Sequence, residues 1–111
     1  MLYKNLTVWQ KSMNLVEQVY GFAKSFPSYE TYGLRNQITR AAISVPSNIA
    51  EGSGRKTPAE KLRFYSIARG SLYELSTQLE IASRLGYSTP TPKMISLVEE
   101  IAKMLTSMLS K

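Results

Sequence analysis

The chain has 111 residues, with 14 Lys and Arg against 8 acidic residues and a formal net charge of +6. It contains no Cys, no His and no Asp. That inventory fits one domain spanning residues 1–111, and it excludes disulfides, thiol chemistry, His-based metal sites and every Ser-His-Asp arrangement. No cofactor or metal is expected. No basic leader with an apolar run opens the sequence, and no stretch approaches about 18 uninterrupted apolar residues. A cytoplasmic protein with no membrane segment is the expectation. Asn5-Leu6-Thr7 matches a glycosylation acceptor only by chance.

The first helix should span about residues 8–25, with Thr7 and Gln10 placed as a capping box. Trp9, Met13, Val16, Tyr20 and Ala23 form one apolar stripe. Leu15, Val19, Phe22 and Phe26 form a second, about 120° round the wheel. Two adjacent stripes predict that this helix packs on two sides. Phe26-Pro27-Ser28 turns the chain, and Ser28 should cap a second helix over about 29–51. Its core stripe is Leu34, Ile38, Ala41 or Ala42, Val45 and Ile49. Pro46 falls inside that pattern, where it either kinks one helix or divides two. The period continues through Ile49 to a stop at Gly52, which favours one kinked helix.

Gly52-Ser53-Gly54-Arg55-Lys56 is a polar turn into the longest element, expected over about 58–85. Thr57, Pro58 and Glu60 mark its start, and Gly86 can take the left-handed conformation that stops it. Tyr65, Ala68, Leu72, Leu75, Leu79 and Ala82 form its seam. Gly70 lies inside it at a cost of about 1 kcal/mol relative to Ala, which predicts a close approach by a neighbouring helix. Counting outward from the turn sets Gly70 level with Arg40. Glu74 interrupts a flanking apolar stripe of Phe64, Ile67, Ile81 and Leu85. It is expected to form a structural ion pair with Arg40 or Arg35. Thr91 and Pro92 open a fourth helix, to about residue 110, with Met94, Val98, Ile101, Leu105 and Met108 as its seam. The fold class is therefore all-α, an antiparallel up-down-up-down four-helix bundle.

Three chemical motifs fail on inspection. The segment Glu51 to Thr57 resembles the end of a phosphate-binding loop, but Ala50 and Arg55 stand at its two glycine positions and no strand precedes it. Tyr20 and Lys24 have the spacing of a reductase dyad without a dinucleotide fold. Di-iron bundles need Glu-x-x-His pairs, and there is no His. Glu99 and Glu100 read as solvated charge. What remains is a basic cluster: Arg55, Lys56, Lys61, Arg63 and Arg69 lie close in sequence with Glu60 as their one acid. It reads either as a phosphate-engaging surface or as a solvated turn and helix face.

Trp9-Gln10, Phe26-Pro27, Tyr32-Gly33-Leu34, Gln37-Ile38-x-Arg40-Ala41 and Asn48-Ile49-Ala50-Glu51-Gly52 form a recognisable set. Phe64, Ala68-x-Gly70-Ser71, Glu74, Gln78-Leu79 and Leu85-Gly86-Tyr87 complete it. Together they resemble the bacterial four-helix bundle proteins related to the 23S rRNA intervening-sequence proteins, with accessory proteins of diversity-generating retroelements as distant relatives. The resemblance implies a barrel-like homopentamer. In the retroelement branch it implies a basic surface that engages nucleic acid and a reverse transcriptase. Two functional classes follow. One is a non-enzymatic oligomeric module that binds RNA or DNA. The other is a scaffold for a protein partner with no direct nucleic-acid role. An enzyme is disfavoured by the thin supply of bases and nucleophiles.

Overall fold

The structure, a computed structural model, describes residues 2–110. Four helices alternate in direction: α1 Thr7–Ala23, α2 Leu34–Ser53, α3 Pro58–Arg84 and α4 Pro92–Leu109. Each packs on its neighbour in the chain, and α1 also meets α4, which closes the bundle. Single 3-10 turns, Leu2–Asn5 and Ser28–Glu30, precede α1 and α2. The expected all-α bundle is the fold observed. Its core is one contiguous cluster in which Leu15, Val19, Ile38, Val45, Ile49, Leu72, Leu75, Ile101 and Leu105 are fully buried.

The ends of α3 follow the local chemistry closely. The Thr57 hydroxyl accepts from the Glu60 backbone N–H at 3.2 Å, and Pro58 occupies the first turn. At the far end Gly86 has φ +76°. The Gly86 N–H donates to Ser83 O and the Tyr87 N–H to Ala82 O, both at 3.0 Å, which is a Schellman motif. Thr91 caps α4 through the Met94 N–H at 3.1 Å.

The other two starts differ from expectation. α1 begins after Leu6 with no side-chain cap, because the Leu2–Asn5 turn supplies the entry instead. Gln10 reaches back and donates to Lys4 O at 2.8 Å rather than completing a box with Thr7. Ser28 opens only the 3-10 turn, and α2 starts at Leu34. Its cap comes from Glu30, whose Oε1 accepts from the Leu34 N–H at 2.9 Å. The other Glu30 oxygen accepts from the Tyr87 hydroxyl at 2.9 Å, so one carboxylate ties the α1–α2 connection to the α3–α4 connection. Hydrogen bonds to Tyr29 and Glu30 push the Tyr87 hydroxyl well above its ordinary pKa. A Cβ at Gly33 would lie 2.5 Å from Glu30 Oε1, so a side chain there would make the capping carboxylate shift.

α2 runs unbroken past Pro46 to Ser53, so it is one helix. Pro46 is buried. The hairpin register differs from the outward count. Ser44 Oγ meets Ser71 Oγ at 2.8 Å, and Gly52 lies against Tyr65. This moves α3 about one to two turns along α2 from the expected pairing. The close approach expected at Gly70 is absent, since a Cβ there would meet nothing within 4 Å. It occurs at Gly52 instead, where an added Cβ would lie 2.8 Å from Tyr65 Cε1 and 3.0 Å from Phe64 Cβ. Burial of that tyrosine also raises its hydroxyl pKa.

The two glycines should therefore respond in opposite directions. Gly52→Ala overpacks the α2–α3 contact and should lower unfolding free energy by about 1–3 kcal/mol. Gly70→Ala removes a helix-interior glycine from open space and should raise it by about 0.5–1 kcal/mol. Urea denaturation of the two variants and the parent chain measures both.

Candidate nucleic-acid interface

The up-down order brings the α2–α3 turn, the entry to α1 and the exit of α4 to the same end of the bundle. Four of the five expected cations border that turn, and Arg69 lies further along α3. Arg55 Nη2 donates to Glu51 Oε2 at 2.7 Å, one turn back on α2. Lys61 Nζ donates to Ser53 O at 2.9 Å and so closes the C-terminal end of α2. Arg63 pairs loosely with Glu60 at 3.9 Å. Arg69 donates to Thr106 Oγ1 at 3.4 Å and sits 5.9 Å from the Tyr73 ring. Lys56 is exposed.

One aromatic ring organises the turn. The Arg55 guanidinium carbon lies 4.6 Å from the centroid of Phe64 and that of Arg63 lies 4.9 Å from it. The sequence marks Phe64 as part of an apolar stripe and of the family resemblance, not as a partner of the arginines. Its place one residue after Arg63 and nine after Arg55 gives no sign that both arginines fold onto it.

The fold adds cations that sequence proximity cannot reveal. Lys4 lies in the 3-10 turn whose Tyr3 packs near Ala50, Glu51 and Arg55. Lys103 is one turn before Thr106, the partner of Arg69. Around the turn stand Lys4, Arg55, Lys56, Lys61 and Arg63 against Glu51 and Glu60, while Arg69 and Lys103 lie about midway along α3 and α4. Elsewhere the signs are mixed. Lys11 pairs with Glu100 at 3.0 Å and Arg84 with Glu80 at 2.9 Å. Cations therefore outnumber carboxylates around the α2–α3 turn.

The expected ion pair of Glu74 with Arg40 or Arg35 is not formed. All three side chains are exposed, and none belongs to the ion pairs found among the described residues. The observed register sets Arg40 near the level of Glu74, but both lie on solvent-exposed faces of their helices, and an exposed carboxylate is solvated without a cation.

The outer stripe of α1 remains largely unpartnered. Met13 and Tyr20 are exposed, while Trp9 and Val16 are half-buried. Trp9, Met13 and Val16, with Tyr3, Ile43 and Pro46, border an apolar groove of about 350 Å³ between α1 and α2. The largest cleft, about 610 Å³ between α1 and α4, is lined by Lys11, Glu17, Lys93 and Glu100 with amides and Ser96. It contains both signs of charge and no nucleophile–base pair. Among the described residues no three His, Cys, Asp or Glu side chains are grouped to hold a metal ion. No helix is long and apolar enough to cross a membrane.

These features define a small antiparallel helical-bundle protein with a cationic end. A family model described as 23S rRNA-intervening sequence protein matches residues 4–107. The chain belongs to that family. Its fold is similar to a crystal structure of a protein of unknown function from the S23 ribosomal protein family of Bacteroides thetaiotaomicron. The TM-score is 0.80 at 23% identity, with 95% of this chain and 100% of that chain covered. A comparison with curated proteins gives no match.

The geometry divides the cluster into cations that hold the turn and cations that do not. Lys61→Ala strips a partner from the last carbonyl of α2 and should cost about 0.5–1.5 kcal/mol of stability. Lys56→Ala should change it by less than about 0.5 kcal/mol. Thermal melts of both variants check the difference.

Proposed function

We propose that this protein is a non-enzymatic oligomeric bundle, a homopentamer by family resemblance, that binds RNA or DNA through its cationic end with low sequence specificity. The observation that carries this reading is the gathering of Lys4, Arg55, Lys56, Lys61 and Arg63 against Glu51 and Glu60 at one end of the rod. Clustered Lys and Arg release condensed counterions from a phosphate backbone, and this term is independent of sequence. No recognition helix or aromatic sheet accompanies them, so contacts should fall on phosphates rather than base edges. Filter binding of a labelled RNA or DNA oligomer across a salt series tests the reading. Affinity should fall with a log–log slope of about −0.7 to −0.9 per phosphate neutralised. No binding at about 50 mM salt, or binding indifferent to salt, would sink it.

Self-association is supported by the uncovered stripe of α1 and the groove beside it. Apolar surface of this kind on one side of a small protein marks a contact surface. Sedimentation velocity should give a species several times the 12.5 kDa chain mass. Met13→Glu should shift it toward the monomer without loss of helix. A monomer at all micromolar concentrations would refute self-association. The same groove also favours the second reading, a scaffold for a protein partner. A partner retained after nuclease treatment, with no polyanion binding, would establish that alternative.

A further inference from the structure

We propose that Phe64 is a positioning residue that holds Arg55 and Arg63 as a paired clamp for neighbouring phosphates of one nucleic-acid strand. This rests on the nucleic-acid reading above. The argument begins with a buried atom that lacks a partner. Arg55 Nε is shielded from solvent and makes no hydrogen bond. A guanidinium would ordinarily turn that donor outward. It stays tucked in because its carbon lies 4.6 Å from the Phe64 centroid, where the ring face attracts the cation. Arg63 approaches the same ring at 4.9 Å. Two long side chains that would otherwise sample many rotamers are thus gathered on one fixed surface.

The geometry suits an anion. A guanidinium stacks through its planar face, and its donors point outward from the edge. Stacking therefore leaves edge donors open to phosphate oxygens, which arginine binds in a forked, two-point manner. Arg55 spends only Nη2 on Glu51, at 2.7 Å. Arg63 is held by Glu60 at a looser 3.9 Å. These exposed carboxylates act as resident counter-ions that phosphates can displace. Both guanidiniums lie over one ring, so they are close enough to serve successive phosphates of a single strand. Phe64 is itself held, since its Cβ lies against the backbone of Gly52 at the tight α2–α3 contact. The ring thus transfers the rigidity of the hairpin to the two cations. Binding then loses less side-chain entropy than it would with unrestrained arginines.

The test separates ring from charge. Wild type, Phe64→Leu and Phe64→Tyr are titrated against labelled oligouridylate and against an RNA duplex of equal length, each across a salt series. Circular dichroism confirms that each variant is folded. Phe64→Leu retains every charge but loses the ring. Its affinity for both RNAs should fall about three- to tenfold, with the salt slope unchanged. Phe64→Tyr should restore binding to within about twofold, because it restores the ring face. Wild-type binding that Phe64→Leu leaves intact would overturn the clamp alone. Equal losses in the leucine and tyrosine variants would overturn it as well, since the ring would then act only through the fold. Absence of wild-type binding at about 50 mM salt would remove the nucleic-acid reading, and the clamp with it.

Discussion

The close contact between α2 and α3 at Gly52 is the constraint on which the rest of the structure depends. Only a residue without a side chain lets Tyr65 and the Cβ of Phe64 approach the α2 backbone this closely. Further along, Ala41, Val45, Ala68 and Leu72 are buried in the core, and Ser44 meets Ser71 by a hydrogen bond between the two helices. Gly52 and the paired Ser44 and Ser71 are small, which lets the two helices come together there and fixes how far one slides along the other. A hairpin with bulkier residues there would have to separate or slip. Separation would open the core around Ile49, Leu72 and Leu75, while slippage would rotate the seam out of line with α1 and α4.

The register fixed at Gly52 also decides which charges meet. It lets α3 begin beyond the end of α2, so that Lys61 reaches back to Ser53 O. It places Arg55 and Arg63 over Phe64 instead of leaving them extended into solvent. The opposite end is organised by different chemistry. There Glu30 joins the Leu34 N–H to the Tyr87 hydroxyl, and Ser25 donates to Tyr87 O at 3.0 Å. Tyr32-Gly33-Leu34 and Leu85-Gly86-Tyr87, two segments that carry the family resemblance, thus surround one carboxylate. Gly33 makes room for it, and Gly86 turns the chain so that Tyr87 can reach it.

The sequence shows most clearly what is settled within a few residues. Thr57, Pro58 and Gly86 locate the ends of α3 because caps and left-handed turns are local chemistry. The four seams are legible because burial at helical spacing leaves a periodic trace. The start of α2 is obscured because its cap is a glutamate four residues upstream, outside the usual Ser/Thr pattern. Gly70 and Gly52 look alike along the chain, but Gly52 lies on a buried helix face and Gly70 on an exposed one. Glu74 misleads for the same reason. An acid within an apolar stripe invites a cation, yet the stripe lies at the solvent edge, where water serves. Of the candidate interface, the five clustered cations were legible. Lys4 was not, since its proximity depends on the entry to α1 meeting the α2–α3 turn.

The two surfaces left uncommitted by the core are adjacent, and their energetics oppose each other. Tyr3 lines both the apolar groove of α1 and α2 and the polar recess beside Arg55. A subunit packed into the groove would therefore stand next to the cationic end. Subunits related by rotation would bring their positive ends toward a common axis, and like charges held in that way repel. Burial of Met13, Ile43 and the rest of the stripe must offset that repulsion. Added salt screens the repulsion and so favours assembly, but it also weakens attraction to phosphates. A polyanion removes the conflict, because it neutralises the ends that repel while leaving the apolar contact untouched. By linkage, a ligand that favours the assembled form must also bind it more tightly than it binds the lone chain. Such a coupling would follow from the adjacency of the two surfaces, whose shared border is Tyr3.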